Sequence, residues 1–126
     1  MNQKLPFTFR PLEFDTSEVF YARLCPEIHK SEQLLQALYQ LLWLPGYFGF
    51  NWNALYDCLT DFSWIREKRV VLEHARLPDI PEAELKIYLE VLRDAVVDWK
   101  EEDAHCFEVV FNGHDRERVV EMLQAR

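Results

Sequence analysis

A chain of 126 residues with 49% hydrophobic side chains has the size of one domain and can bury one core. Its net charge of -8 argues against nucleic acid, whose phosphates need Lys and Arg, and fits either a cationic partner or solubility alone. No apolar run approaches the roughly twenty residues that cross a bilayer, and the N-terminal MNQKLPFTFRPLEF has no apolar secretory region, so a cytoplasmic location off the membrane is expected.

Phe7 and Phe9 alternate with Thr8 and Arg10 before Pro11 interrupts, the pattern of a short edge strand. VFYARL, 19–24, is a strand with Val19, Tyr21 and Arg23 on one side and Phe20, Ala22 and Leu24 on the other. Ser31, Glu32 and Gln33 open a helix to about Trp43, in which Leu34, Leu35, Leu38, Leu41 and Leu42 recur at helical spacing. Pro45 and Gly46 break it. Asn51 is a suitable N-cap for a second helix to about Asp61, with Ala54, Leu55, Cys58 and Leu59 inward and Asn53, Tyr56, Asp57 and Thr60 outward.

RVVLEH, 69–74, is a central strand and Pro78 and Pro81 mark the loop after it. A long helix covers 82–99, HCFEVVF at 105–111 is the last strand, and residues 115–124 form a final helix with Val119, Val120 and Leu123 inward. Strands separated by helices predict an α/β domain: a small, mainly parallel sheet of about three strands, joined by right-handed crossovers and flanked by helices.

Catalytic motifs do not stand out. The sequence has no Gly-rich phosphate loop, nucleophile elbow or helical His-Glu-x-x-His, so an enzyme is not expected. Cys25 with His29, and His105 and Cys106 with His114, lack recognised zinc spacing; a structural role is favoured, with no metal or other cofactor. The three cysteines, Cys25, Cys58 and Cys106, read as reduced and mostly buried, a Cys25–Cys58 or Cys58–Cys106 disulfide being the less favoured alternative.

Binding is better signalled. Leu41 to Trp64 holds eight of the eighteen aromatic residues together with Asp57 and Asp61, and not one Lys or Arg. Asp57 and Asp61, one helical turn apart, could do acid–base work in a cleft, but a solvated helix face is the simpler reading. Tyr47 and Phe48 lie in the loop before the second helix, and Asn53, Tyr56 and Asp57 on its outer face. Aromatic rings around a carboxylate suit a protein–protein hot spot; packing over the core edge, above all by Trp43, Phe48 and Trp52, is the competing reading. On the first reading, Trp43 and Trp52 fasten loop and helix to the core, while Tyr47 and Tyr56 keep water from the contact around Asp57.

The order of these residues adds to that reading. Leu44, Pro45, Tyr47, Phe48, Gly49, Asn51, Ala54, Leu55, Tyr56, Asp57, Cys58, Leu59 and Thr60 form an ungapped pattern that resembles the signature of the barstar family, intracellular inhibitors of secreted ribonucleases. A weaker likeness reaches from residue 19 to residue 112, which leaves 1–18 and 113–126 as terminal additions to one domain. The resemblance implies a helix and loop that plug a nuclease active site with an acidic surface in place of RNA phosphates. By position, Tyr47 matches a contacting loop tyrosine, Asp57 the aspartate that enters the phosphate site, and Asp94 a contributing glutamate. Tyr56 stands where the family often has Trp, and Thr60 continues the face. Asn53 replaces a second contacting aspartate, and Gly46 and Phe50 replace acidic residues.

Two functions follow. The first is a monomeric, non-catalytic inhibitor of a basic extracellular-type ribonuclease or related toxin, with an immunity or antitoxin role. The second is an interaction or scaffold module that keeps the fold and binds through another surface, such as residues 114–126.

Overall fold

The computed structural model describes residues 5–9 and 18–124. Three strands, β1 (Val19–Leu24), β2 (Arg69–His74) and β3 (Cys106–Val110), form one sheet in the order β1-β2-β3, and both pairings are parallel. Helices α1 (Ser31–Leu41) and α2 (Trp52–Leu59) connect β1 to β2, and α3 (Glu82–Asp98) connects β2 to β3. A short 3-10 turn, Gly113–Asp115, leads into α4 (Arg116–Gln124). This is the α/β architecture that the alternation of strands and helices predicts.

Strand periodicity decides which residues meet the helices. Ala22 and Leu24, Val70 and Leu72, and Phe107, Val109 and Phe111 join the main core with Leu34, Leu38, Leu55, Leu59, Leu85, Leu89 and Leu92. The opposite sheet face carries a small cluster of Val19, Val71 and Val110, next to the ion pairs Arg69–Glu108 at 2.6 Å and Arg23–Glu73 at 3.8 Å. A sheet whose two faces differ so sharply cannot slip register by one residue without inverting both.

Thr8 makes a single parallel bridge to Val110 on the outer side of β3, with its N–H bonded to the Val109 carbonyl at 3.0 Å. The expected strand at 7–9 is thus one bridging residue. Its anchors are Phe7, edge-on to Phe111 at 5.1 Å, and Phe9, stacked on the same ring at 6.0 Å.

Several side chains depart from the sequence reading. Met122 shares the inner face of α4 with Val119, while Val120 and Leu123 are half-buried. Cys25 is exposed and Cys106 half-buried, so of the three free thiols Cys58 alone is buried. Cys106 falls on the polar sheet face, in the row Val19, Arg69, Cys106. Ser31 opens α1 as expected, and its hydroxyl donates to Glu84 of α3 at 2.5 Å. Among the described residues no three His, Cys, Asp or Glu side chains gather as metal ligands, and no helix is long and apolar enough to cross a membrane.

Candidate partner-binding site

The segment from the end of α1 to the end of α2 is built from a tight loop and a short helix. The Asn51 side chain accepts from the Ala54 N–H at 2.8 Å, satisfying one of the free donors at the start of α2. Asn51 Nδ2 donates back to the Gly49 carbonyl at 3.3 Å, and a Cβ on Gly49 would stand 3.0 Å from that nitrogen. Glycine at 49 therefore makes room for the cap.

Three aromatic residues bracket the segment in left-handed backbone conformations: Trp43 (φ 55), Phe50 (φ 54) and Phe62 (φ 51). For a residue with a Cβ this costs about 1–2 kcal/mol, and such strain persists only where the surroundings over-determine it. Phe62 is fully buried, stacked on Trp99 at 5.9 Å and edge-on to Phe107 at 5.5 Å. Phe50 is 44% exposed but leans on Phe48 at 4.8 Å and Tyr39 at 5.2 Å.

Two indoles tie the helix ends down. Trp64 Nε1 donates to the Leu42 carbonyl at 3.0 Å, and Trp99 Nε1 to the Leu59 carbonyl at 2.8 Å. Each satisfies a carbonyl that a helix C-terminus leaves open. Trp52 packs toward Tyr88 at 6.1 Å, as expected of a fastener. Trp43 does not: it is 67% exposed and its ring meets Phe20 edge-on at 5.1 Å. The expectation that Trp43 anchors the loop is corrected: its ring lies at the surface against half-buried Phe20 and not in the core. Trp64 and Trp99 do that work instead.

On this scaffold Asn53 and Asp57 are exposed, and Tyr56 and Thr60 half-buried, along one side of α2. The Thr60 hydroxyl is tied inward, donating to the Tyr56 carbonyl at 2.9 Å. Tyr47, 66% exposed in the loop, donates its hydroxyl to Asp61 Oδ2 at 2.9 Å. That bond is the main reason its phenol is pushed up to about 12, with burial and the nearby Asp61 and Asp57 charges adding to it. Beneath them, burial first and then Asp61 and Asp57 push the Cys58 thiol up to about 11, so it is a neutral packing group. The Asp57 backbone carbonyl accepts from the Thr60 hydroxyl at 3.2 Å, but its carboxylate has no hydrogen-bond or ion-pair partner among the described residues.

The family model described as Barstar (barnase inhibitor) matches residues 19–112. The chain belongs to the barstar family. Barstar-family proteins are inhibitors of a ribonuclease rather than enzymes, which gives the loop and α2 a family-level context. A search among curated proteins finds no match.

Within this barstar-family frame the structure brings some expected residues together and separates others. Tyr47 and Asp57 lie within electrostatic reach of each other, and Asn53, Tyr56, Asp57 and Thr60 share one helical side. Phe48 points inward, 3% exposed and stacked near Tyr39 at 6.2 Å, so its ring supports the loop and does not face solvent. Asp94 is exposed on α3, which packs on α2; its neighbour Arg93 donates to it at 3.1 Å, and no hydrogen bond or ion pair joins it to α2. Asp61, read from the sequence as part of a solvated helix face, is half-exposed, and Phe50 in the loop is exposed. What sequence reasoning missed is that Asp61 is tied to Tyr47. The helical spacing of Asp61 from Asp57 was visible, but a bond to a loop tyrosine fourteen positions earlier has no local signal.

Proposed function

We propose that this chain is a non-catalytic inhibitor that blocks the cationic active site of a microbial ribonuclease with its loop and α2, in an immunity or antitoxin role. The observation that carries the reading is the situation of Asp57. Its carboxylate is exposed and without a partner among the described residues, and lies one turn before a second carboxylate, Asp61. Both sit toward the C-terminal, negative end of α2, whose last turn contains no basic residue. Like charges four residues apart at the wrong end of a helix oppose folding by a few tenths of a kcal/mol each. A cation from outside would turn that local penalty into attraction, which suits a surface kept for binding.

Tyr47 and Tyr56 flank the carboxylate and would exclude water from the contact, strengthening charge-assisted bonds to guanidinium groups. Asn53 offers hydrogen bonds without charge, Thr60 continues the side, and Asp94 adds acid from α3. In this reading Phe48 acts from below, as the support of the loop.

The test is association with purified barnase, wild type beside Asp57→Ala, across ionic strength. The inhibitor reading expects ribonuclease activity to be suppressed, association to slow as salt rises, and Asp57→Ala to weaken binding by about 2–5 kcal/mol. Binding that ignores both salt and Asp57 would sink it.

A second reading draws on α4, which lies beyond the matched residues 19–112. Between α3 and α4 runs an open groove of about 880 Å³, lined among others by Lys86, His114, Arg118 and Met122. A scaffold module would bind there, and charge reversal at Arg118 would then abolish partner capture while Asp57→Ala would not.

A further inference from the structure

Tyr47 occupies an exposed position that its own ring does little to hold. It is 66% exposed, and among the described residues no aromatic ring stacks on it. The loop around it is secured at Phe48, whose ring is buried and whose N–H bonds the Pro45 carbonyl at 2.9 Å. Those contacts close the turn from Pro45 to Phe48 without reaching the Tyr47 side chain, which is left to be placed by something else. That something is the Asp61 carboxylate, 2.9 Å from its hydroxyl, on the residue just past the C-cap of α2. Asp61 is only half-exposed, and its backbone N–H bonds the Cys58 carbonyl at 3.1 Å, so the acceptor is itself held.

The next residue, Phe62, is the buried left-handed aromatic packed on Trp99. The position of the carboxylate is therefore set from the core outward: Trp99 and Phe107 hold Phe62, Phe62 turns the chain, and the turn presents Asp61 to the loop.

We propose that Asp61 is a positioning residue, whose carboxylate clasps the Tyr47 hydroxyl and so pre-forms the partner-contacting loop beside Asp57 before any partner arrives. This rests on the inhibitor reading for its purpose, though not for its existence. A tyrosine already in place does not have to be immobilised on association, and ordering one side chain weakens binding by roughly two- to tenfold. The raised phenol pKa is what such a clasp produces, since the donated proton is held by a carboxylate.

The experiment uses the full chain with Tyr47→Phe, which removes the hydroxyl and keeps the ring, Asp61→Ala, and the double variant. Phenol carbon shifts from labelled tyrosine should show Tyr47 still neutral at about pH 11 in the wild type and mostly ionised there in Asp61→Ala, near the ordinary phenol value of about 10. Hydrogen exchange at the Phe48 amide should quicken several-fold in Tyr47→Phe and in Asp61→Ala, with the amides of α2 unchanged. With barnase as the probe, each single variant should lose roughly two- to tenfold in affinity, and the double variant no more than either. A Tyr47 phenol that ionises near 10 in the wild type, an unchanged Phe48 amide, or losses that add in the double variant would each overturn the clasp. If barnase binds no form of the protein, the ribonuclease reading is what fails, and titration and exchange still decide the clasp.

Discussion

The Trp99 indole N–H donates to the Leu59 carbonyl at 2.8 Å, so the C-terminal end of α2 is capped from the residue that follows α3. Trp99 also stacks on Phe62 with an interplanar angle of 2°. One side chain thus joins the end of the contact helix to the turn that presents Asp61. Trp99→Phe keeps a ring for the stack and removes the donor. The expected loss is about 1 kcal/mol of unfolding free energy, read from urea denaturation; a loss indistinguishable from zero would show that water replaces the indole without penalty.

The cap at the other end of α2 is equally specific. Asn51→Ala removes the acceptor for the Ala54 N–H and should lower stability by about 1 kcal/mol, whereas Asn51→Asp should restore most of it through the same bond. Denaturation midpoints of the three proteins check this order. Asn51→Asp matching the alanine variant would mean that the side-chain amide bond to Gly49 was the more important of the two.

His74 gives the fold a pH dependence of definite sign. Its Nδ1 lies 3.1 Å from the Val110 carbonyl, which only an N–H can satisfy, so Nε2 is the acceptor for the Tyr88 hydroxyl at 2.7 Å. Burial lowers its pKa from 6.5 to about 4, against the opposing pull of the Val110 carbonyl. Between those values the unfolded chain binds the proton and the folded one does not. The contribution to stability is complete above 6.5 and is lost as the pH falls toward 4, to an extent on the order of 3 kcal/mol. Urea midpoints from pH 7 to pH 4 for wild type and His74→Gln should show the wild type losing more across that window. Parallel curves would place the titration elsewhere.

Asp57 should separate binding from folding. Asp57→Asn removes one of two like charges at the negative end of α2 and should raise stability by about 0.3–0.5 kcal/mol, while affinity for a cationic nuclease falls. Thermal denaturation at low and high salt checks the first half, since the gain should shrink as salt screens the charges. A variant less stable than wild type at low salt would mean that the carboxylate has a structural partner.

Much of the fold was legible because burial imposes a period. VFYARL divides its residues between two sides, RVVLEH is a compact valine-rich run, the leucines of α1 recur at helical spacing, and Pro78 and Pro81 mark the loop before α3. The outward side of α2 followed from the same arithmetic, and with it Asn53, Tyr56, Asp57 and Thr60. The ordered pattern from Leu44 to Thr60 was readable as a family signature because it lies within one contiguous stretch.

What periodicity could not assign was the work of individual rings. Trp43, Phe48, Trp52 and Trp64 look alike as composition, yet one is exposed, one lies under the loop, one leans on Tyr88 and one caps α1. The chain also turns left-handed at Trp43, Phe50 and Phe62, which aromatic residues do not advertise as glycine would.

The sequence by itself determined the strands, the helices, the acidic outer side of α2 and the family, because each is written in local spacing or in one ungapped run of residues. Only the tertiary structure decided that Trp64 and Trp99 secure the helix ends, that His74 is buried against Tyr88, and that Asp61 reaches Tyr47. Those contacts join residues fourteen to forty positions apart, and their geometry exists only once the sheet and helices have packed.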